Sequence, residues 1–245
     1  MKVFLSGTCK IKDNEILKNC DYFLESFLSI KKEKLPFFLS AKDFLLDSGA
    51  FSFMNGKKTG NIYDYAKQYA YFVKEYDIKN FFELDIELLV GWEEYLKIND
   101  VISSITKKQS IPVFHKNRGW EWFEKMCKQV PYIAYGGIAV NRREVKKIVF
   151  DTMPFFISCA HKNKCKIHGL GFTSTSMFDK IKFDSIDSTT WLMGSRLGNL
   201  CYFTGNEMRQ FYSTQKGKKT IDADKLDMFN FLEWCKFQRY ADKNL

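Results

Sequence analysis

The stretch FLLDSGAF, residues 44 to 51, joins an apolar run to an aspartate, a serine and a glycine. Phe44-Leu45-Leu46 reads as a buried strand. Asp47-Ser48-Gly49 then either turns the chain or sets a carboxylate at the lip of a pocket. The pattern recurs, and its recurrence decides the fold. Apolar runs end in Asp85, His115, Gly136-Gly137 and Asp187, and Lys166-Ile167 leads into His168-Gly169. The candidate strands are therefore Val3–Ser6, Phe44–Asp47, Phe81–Asp85, Ile111–His115, Tyr132–Gly136, Ile167–Gly171 and Phe183–Asp187, with Leu200–Phe203 a weaker eighth.

Amphipathic stretches fall between these runs. Asn61 is placed to cap a helix reaching about Tyr76, with Ile62, Tyr65, Ala66, Tyr69, Ala70 and Val73 on one face. Asn99 or Asp100 is placed to cap the next. Gly119–Val130, Asn141–Phe150 and a long aromatic-rich Ile221–Tyr240 complete the set. Alternating strands and helices imply a parallel sheet covered on both faces. Seven or eight strands in 245 residues, with no glycine-rich dinucleotide fingerprint, predict a single (β/α)8 TIM-type barrel of the α/β class. The expected domain is 1–245, with 206–245 a C-terminal helical extension.

In such a barrel the carboxyl ends of the strands build the active site, so the polar endings converge there. Strand side chains alternate with period two. Asp184 and Asp187 then face opposite ways, and Asp187, nearer the carboxyl end, is the pocket residue. Buried carboxylates need a partner, a proton or a ligand. Asp47, Asp85 and Asp187 suggest a nucleophile, an acid/base and a ligand reader. A metal site of a barrel hydrolase is the rival use of the same residue types.

Composition narrows the partners. The net charge is +9, and only six of the 38 basic residues are arginine. That balance suits a polyanion such as nucleic acid, and equally a lysine-inflating genome. Seven cysteines without framework spacing suggest free thiols in a cytoplasm. Met1–Ser6 turns polar too soon for a secretory leader, and no apolar run reaches the length of a membrane span. Cys159, His161, Cys165 and His168 are all zinc-ligand types, but in a spacing of no familiar zinc module. Thiols in a loop and a histidine at the pocket rim are the competing reading. Lys216, Lys218 and Lys219 read as an exposed basic loop, and Arg142 and Arg143 as a helix start near the site.

Four motifs in order, DSGAF (47–51), YGGIAV (135–140), HGLGFTS (168–174) and DSTTWLMGSR (187–196), resemble the tRNA-guanine transglycosylase superfamily. The short chain and the IDSTTW form are most similar to its phage-type 7-deazaguanine DNA transglycosylases. The resemblance implies a barrel that exchanges guanine for a 7-deazaguanine in DNA, in a queuosine-like modification. The implied partners are DNA, or alternatively tRNA, and the free 7-deazaguanine base, with a delivery protein possible. Neither membrane, metal nor organic cofactor is implied. If the chain is phage-encoded, the compartment is the host cytoplasm.

By the same resemblance Asp187 is the nucleophile and Asp47 the general acid/base. Phe51 stacks on the base, Asp85 reads its N–H edge, Gly137 offers a backbone N–H to its carbonyl, and Ile138 lies beside the 7-substituent. Ser48, Gly136 and His168 belong to the same motifs, and Arg196 keeps the family's spacing from the nucleophile and is a candidate phosphate contact. Trp191 is a second candidate stacker, whereas Trp120 and Trp122 pack their helix. Two features depart from the family: His115 stands where the tRNA enzymes have glutamine, and the C-terminal zinc motif is missing. A non-catalytic nucleic-acid-binding barrel is the remaining alternative.

Overall fold

A computed structural model describes residues 1–54, 56, 60–137, 143–174, 177, 178, 180–212 and 222–245, with 143–150 described by backbone alone. Eight parallel strands form one sheet: β1 (Lys2–Ser6), β2 (Tyr22–Ser26), β3 (Asp43–Asp47), β4 (Asn80–Phe81), β5 (Val113–Phe114), β6 (Tyr132–Tyr135), β7 (Lys166–Gly169) and β8 (Ser185–Ser188), in the order β4-β3-β2-β1-β8-β7-β6-β5. The protein is thus an α/β fold with helices on the outside of the sheet.

Alternation along the strands sorts side chains into two separate cores. Phe4, Tyr22, Leu24, Leu45, Phe82, Ile111, Val113 and Ala134 form an inner cluster. Their neighbours Val3, Leu5, Phe23, Leu46, Phe81, Phe114 and Ile133 pack outward against the helix layer. The inner cluster shows that the sheet curls. Phe82 follows β4, an edge strand, yet its ring centroid lies 5.4 Å from that of His168 on β7. A flat sheet would hold them several strands apart.

The two edges meet through one isolated parallel bridge, Phe82 to Ile111, rather than a continuous ladder. Ile111 N–H donates to Phe81 O at 2.8 Å and Glu83 N–H donates to Ile111 O at 3.0 Å. Where the next backbone rung is missing, Val113 N–H donates to the Glu83 carboxylate at 2.8 Å. The sheet is therefore curled edge to edge, with one seam completed by a side chain.

The eighth strand is not the expected one. Tyr22–Ser26 joins the sheet between β1 and β3, whereas Leu200–Phe203 (β9) pairs antiparallel with Met208–Phe211 (β10) in a separate two-stranded sheet. The stretch DYFLES carries Glu25 at a buried position, and the acid obscured the run. Residues 206–212 are also not helical, as they include β10.

The helices largely follow the spacing. Helix Ile62–Glu75 starts at Asn61, whose side chain accepts from Tyr63 and Asp64 N–H. Helix Trp92–Thr106 begins a full two turns before Asn99. Asn99 does not cap it but clamps the segment that follows β4, pairing with both N–H and C=O of Leu84 at 3.1 and 3.2 Å. Helix Arg143–Lys162 runs well past Phe150 and through Pro154, because the apolar face continues through Met153, Phe156, Ile157 and Ala160.

The last helix, Ala223–Asn244, is part of the packed layer rather than an extension. Its buried Gln238 donates to Val3 O (2.7 Å) and Tyr22 O (3.0 Å) and accepts from Asp21 N–H (2.7 Å). Its Asp222 cap accepts from Asp224 and Lys225 N–H. No described helix is long and apolar enough to cross a membrane.

Burial pushes the Glu83 carboxyl up from its ordinary 4.5 to about 7, against the opposing effects of Val113 N–H, Tyr95 and Arg118. A folded-state pKa raised in this way favours folding at low pH and loses that contribution as pH rises from about 4.5 through about 7. Glu83→Gln keeps an acceptor for Val113 N–H and cannot ionise. Its melting temperature relative to the parent protein is expected to increase steadily between about pH 5 and pH 8, as measured by thermal melts across that range. A constant difference would show that Glu83 is ionised throughout.

Candidate active site

A cavity of about 760 Å³ opens at the carboxyl ends of the parallel strands. Asp47, Asp85, His115, Gly136, Gly137 and Asp187 all line it, from five strand ends or the turns that follow them. Leu24, Phe82, Val113 and Leu170 form its apolar floor, and Phe51, Met54 and Leu88 its mouth. Phe51 sits on the short helix Ala50–Met54 and is 66% exposed, consistent in position with a platform at the entrance. None of the described lining residues is lysine or arginine.

The three aspartates have three different environments. Asp47 ends β3 and accepts from Gly49 N–H at 3.2 Å. Burial, then the charge of Asp85, pushes it up to about 6, against hydrogen bonds from Ser26 and Gly49. Gly49 turns the chain in the left-handed region at φ 80°. A Cβ there would lie 2.7 Å from the Tyr65 hydroxyl, which donates to Ser48 O, so only glycine fits.

Asp187 is held from below. Its Oδ1 accepts from Gly171 N–H at 2.6 Å and lies 3.3 Å from His168 Nε2. His168 Nδ1 is 2.7 Å from Ser185 Oγ, itself 2.6 Å from the Tyr132 hydroxyl. One assignment satisfies every atom: Tyr132 O–H to Ser185, Ser185 O–H to His168 Nδ1, and His168 Nε2–H to Asp187. The relay fixes the nucleophile candidate's rotamer.

Asp85 pairs with His115, Nε2 to Oδ2 at 3.0 Å. Burial raises Asp85 above its ordinary range, while the His115 hydrogen bond opposes that. For His115, burial disfavours charge, but the hydrogen bond and charge of Asp85, with Glu87, leave it raised. Both shifts mean that the pair holds a shared proton to higher pH.

Behind it, the Arg118 guanidinium lies 2.9 Å from Glu87 and packs over the rings of Trp92 and Tyr95. The His115 ring rests on Gly136, where an added Cβ would lie 2.8 Å from its Cε1.

Several expected residues take other places. His168 is fully buried beneath Asp187 and does not line the cavity, because its strand position points it into the inner core between Phe4 and Phe82. Ser48 is also fully buried, since it follows Asp47 and faces the other side. Arg196 is exposed on the helix Met193–Leu197 and does not line the cavity. Trp191 is core: it is 1% exposed, donates to Ser6 O at 2.9 Å and meets Phe231 edge-on. Ile138, Arg142, Lys216, Lys218 and Lys219 lie outside the described residues, as does the Arg143 side chain.

The Cys/His set does not converge on one point. His161 pairs with Asp184 and His168 with Asp187, and no metal-holding cluster of three or more ligand types occurs among the described residues. Asp184 also accepts from Ile167 N–H at 2.8 Å, away from the cavity.

The missed strand β2 adds Glu25, Ser26 and Ser29 to the lining. Ser26 stands in register with Asp47. Glu25 points outward by strand alternation and braces the turn after β1, accepting from Thr8 N–H and from Thr8 Oγ1 at 2.6 Å. The signal for both was the apolar Tyr22-Phe23-Leu24 run.

No family model matches this sequence and no curated protein matches it. Among solved structures, the chain is similar to the carboxyl transferase domain of Rhizobium etli pyruvate carboxylase. The domain with pyruvate matches at 13% identity and a TM-score of 0.43, over 98% of this chain and 48% of that one. A point variant of the domain with pyruvate matches at 10% identity and 0.43, over 98% and 49%. The domain in a third structure matches at 11% and 0.40, over 98% and 48%. The chain spans about half the length of these neighbours.

Gly136→Ala would drive a methyl into His115 and Val113 Cγ1. It is expected to cost about 1–3 kcal/mol of stability and to displace His115 from Asp85. Denaturant melts read the first effect. The His115 ring resonances, followed against pH, read the second as a fall in its pKa.

Proposed function

We propose that the protein is an enzyme, a (β/α)8-type transglycosylase that exchanges guanine for a 7-deazaguanine base in DNA. The observation that carries this reading is the convergence of Asp47, Asp85 and Asp187 on one cavity in three distinct environments. Base exchange with retention at C1′ needs this division of labour.

In the first half-reaction Asp187 attacks C1′ of the target nucleotide. The C1′–N9 bond breaks, an ester to Asp187 forms, and Asp47 delivers its proton to the departing guanine. In the second, Asp47 takes a proton from the incoming deazaguanine. The base attacks C1′ and Asp187 leaves as carboxylate. Atoms and charge balance without metal, oxidant or organic cofactor. Phe51 at the mouth stacks on the base, and Asp85, His115 and Gly137 read its polar edge. A base within a duplex has to be flipped out to reach this depth.

An Asp47 pKa of about 6 suits a group that gives and then takes the same proton near neutrality. Its protonated form is lost as pH rises through that value, so guanine release is expected to slow above about pH 6, as read by quenched-flow single-turnover kinetics.

The primary test incubates purified protein with radiolabelled guanine or a 7-deazaguanine and with DNA or tRNA, with and without chelator. Chelator-resistant incorporation into DNA is expected. Asp187→Ala is expected to abolish it with the fold intact by circular dichroism, and Asp47→Ala to do likewise while retaining nucleic-acid binding. Incorporation into tRNA alone would change the substrate and keep the chemistry. Inactivation by Asp184→Ala with Asp187→Ala harmless would overturn the assignment of the nucleophile.

A further inference from the structure

Resting on the base-exchange reading, we infer that His115 and Asp85 form a proton-linked reader. It offers the base a hydrogen-bond donor when the pair is protonated and an acceptor when it is not. Four observations support this. The His115 ring lines the cavity and packs against Gly136, where an added Cβ would lie 2.8 Å from its Cε1 and 3.1 Å from its Nδ1. Its Nε2 is committed to Asp85. Its Nδ1, on the other side of the ring, has no partner among the described residues. It lies 3.9 Å from where a Cβ on Gly137 would sit, and Gly137 is itself a lining residue.

The proton count makes the polarity unambiguous. With one shared proton, the pair is either imidazolium beside carboxylate or neutral imidazole beside carboxylic acid. Nδ1 carries hydrogen in both, and it donates. When that proton leaves, the remaining ring hydrogen stays on Nε2, facing the Asp85 carboxylate, and Nδ1 becomes an acceptor. A base with a carbonyl next to Gly137 is matched by the first state and opposed by the second. A base with an amino group there has the reverse preference.

A glutamine at this position would donate from its amide at every pH, so histidine adds a dependence that glutamine lacks. The charged groups acting on the pair are Glu87 and Arg118 behind it, Glu83 on the adjoining seam and Asp47 across the cavity, with Asp187 lining the same cavity. Most are acidic, and they favour retention of the proton.

The experiment is equilibrium binding of guanine and of 2,6-diaminopurine to the full chain between about pH 5.5 and pH 8.5. The ratio of the two affinities is expected to shift by about tenfold or more in favour of diaminopurine as pH rises, the change that one pKa unit represents. His115→Gln is expected to bind guanine with a flat profile. Asp85→Asn is expected to lose guanine affinity at the acid end, because the amide cannot help hold the proton. The same titration in Asp47→Asn removes the contribution of that neighbouring acid. A flat ratio in the parent protein, or an unchanged slope in His115→Gln, overturns the reader and leaves base exchange standing. Failure of either purine to bind at any pH overturns both.

Discussion

One carboxylate stands where a backbone rung is missing. Glu83 accepts Val113 N–H at the seam between the edge strands, beside a single bridge from Phe82 to Ile111. A curled parallel sheet must hide its edges or leave rows of unpaired N–H and C=O groups. Here a side chain supplies the acceptor that the short β4 cannot. The strand ends on either side of that seam carry Asp85 and His115, so the seam and one edge of the cavity share one piece of structure. Arg118, packed between Trp92 and Tyr95 and paired with Glu87, steadies both from outside.

The same alternation that separates two hydrophobic cores also orders the site. Inward positions are apolar in the middle of the strands and become Asp47, His115, Gly136 and Asp187 at their carboxyl ends. The buried His168 occupies an inward position one layer lower, where its ring packs on Phe4 and Phe82 while its nitrogens join Ser185 to Asp187. It positions the Asp187 carboxylate, coupling it to the inner core.

Much of this was legible in the sequence because apolar runs that stop at a polar residue report both the strand and its carboxyl end. The runs ending at Asp47, Asp85, His115 and Asp187 all deliver those residues to one cavity. What escaped had a different physical cause in each case. β2 was hidden because Glu25, buried against Thr8, broke its apolar character. Leu200–Phe203 has strand composition, but no single-strand property tells which sheet it joins. The depth of His168 and Trp191 depends on packing partners more than 140 residues away for one and 180 for the other, Phe4 and Ser6. Such long-range partners leave no trace in local spacing.

The cavity wall presents the carboxyl groups of Asp47, Asp85 and Asp187, and no lysine or arginine among its described residues, on a chain of net charge +9. The recess is therefore lined by acidic groups on a chain whose overall charge is positive. An anionic group entering the recess meets like charge wherever those carboxyls are ionised, whereas a neutral ring does not.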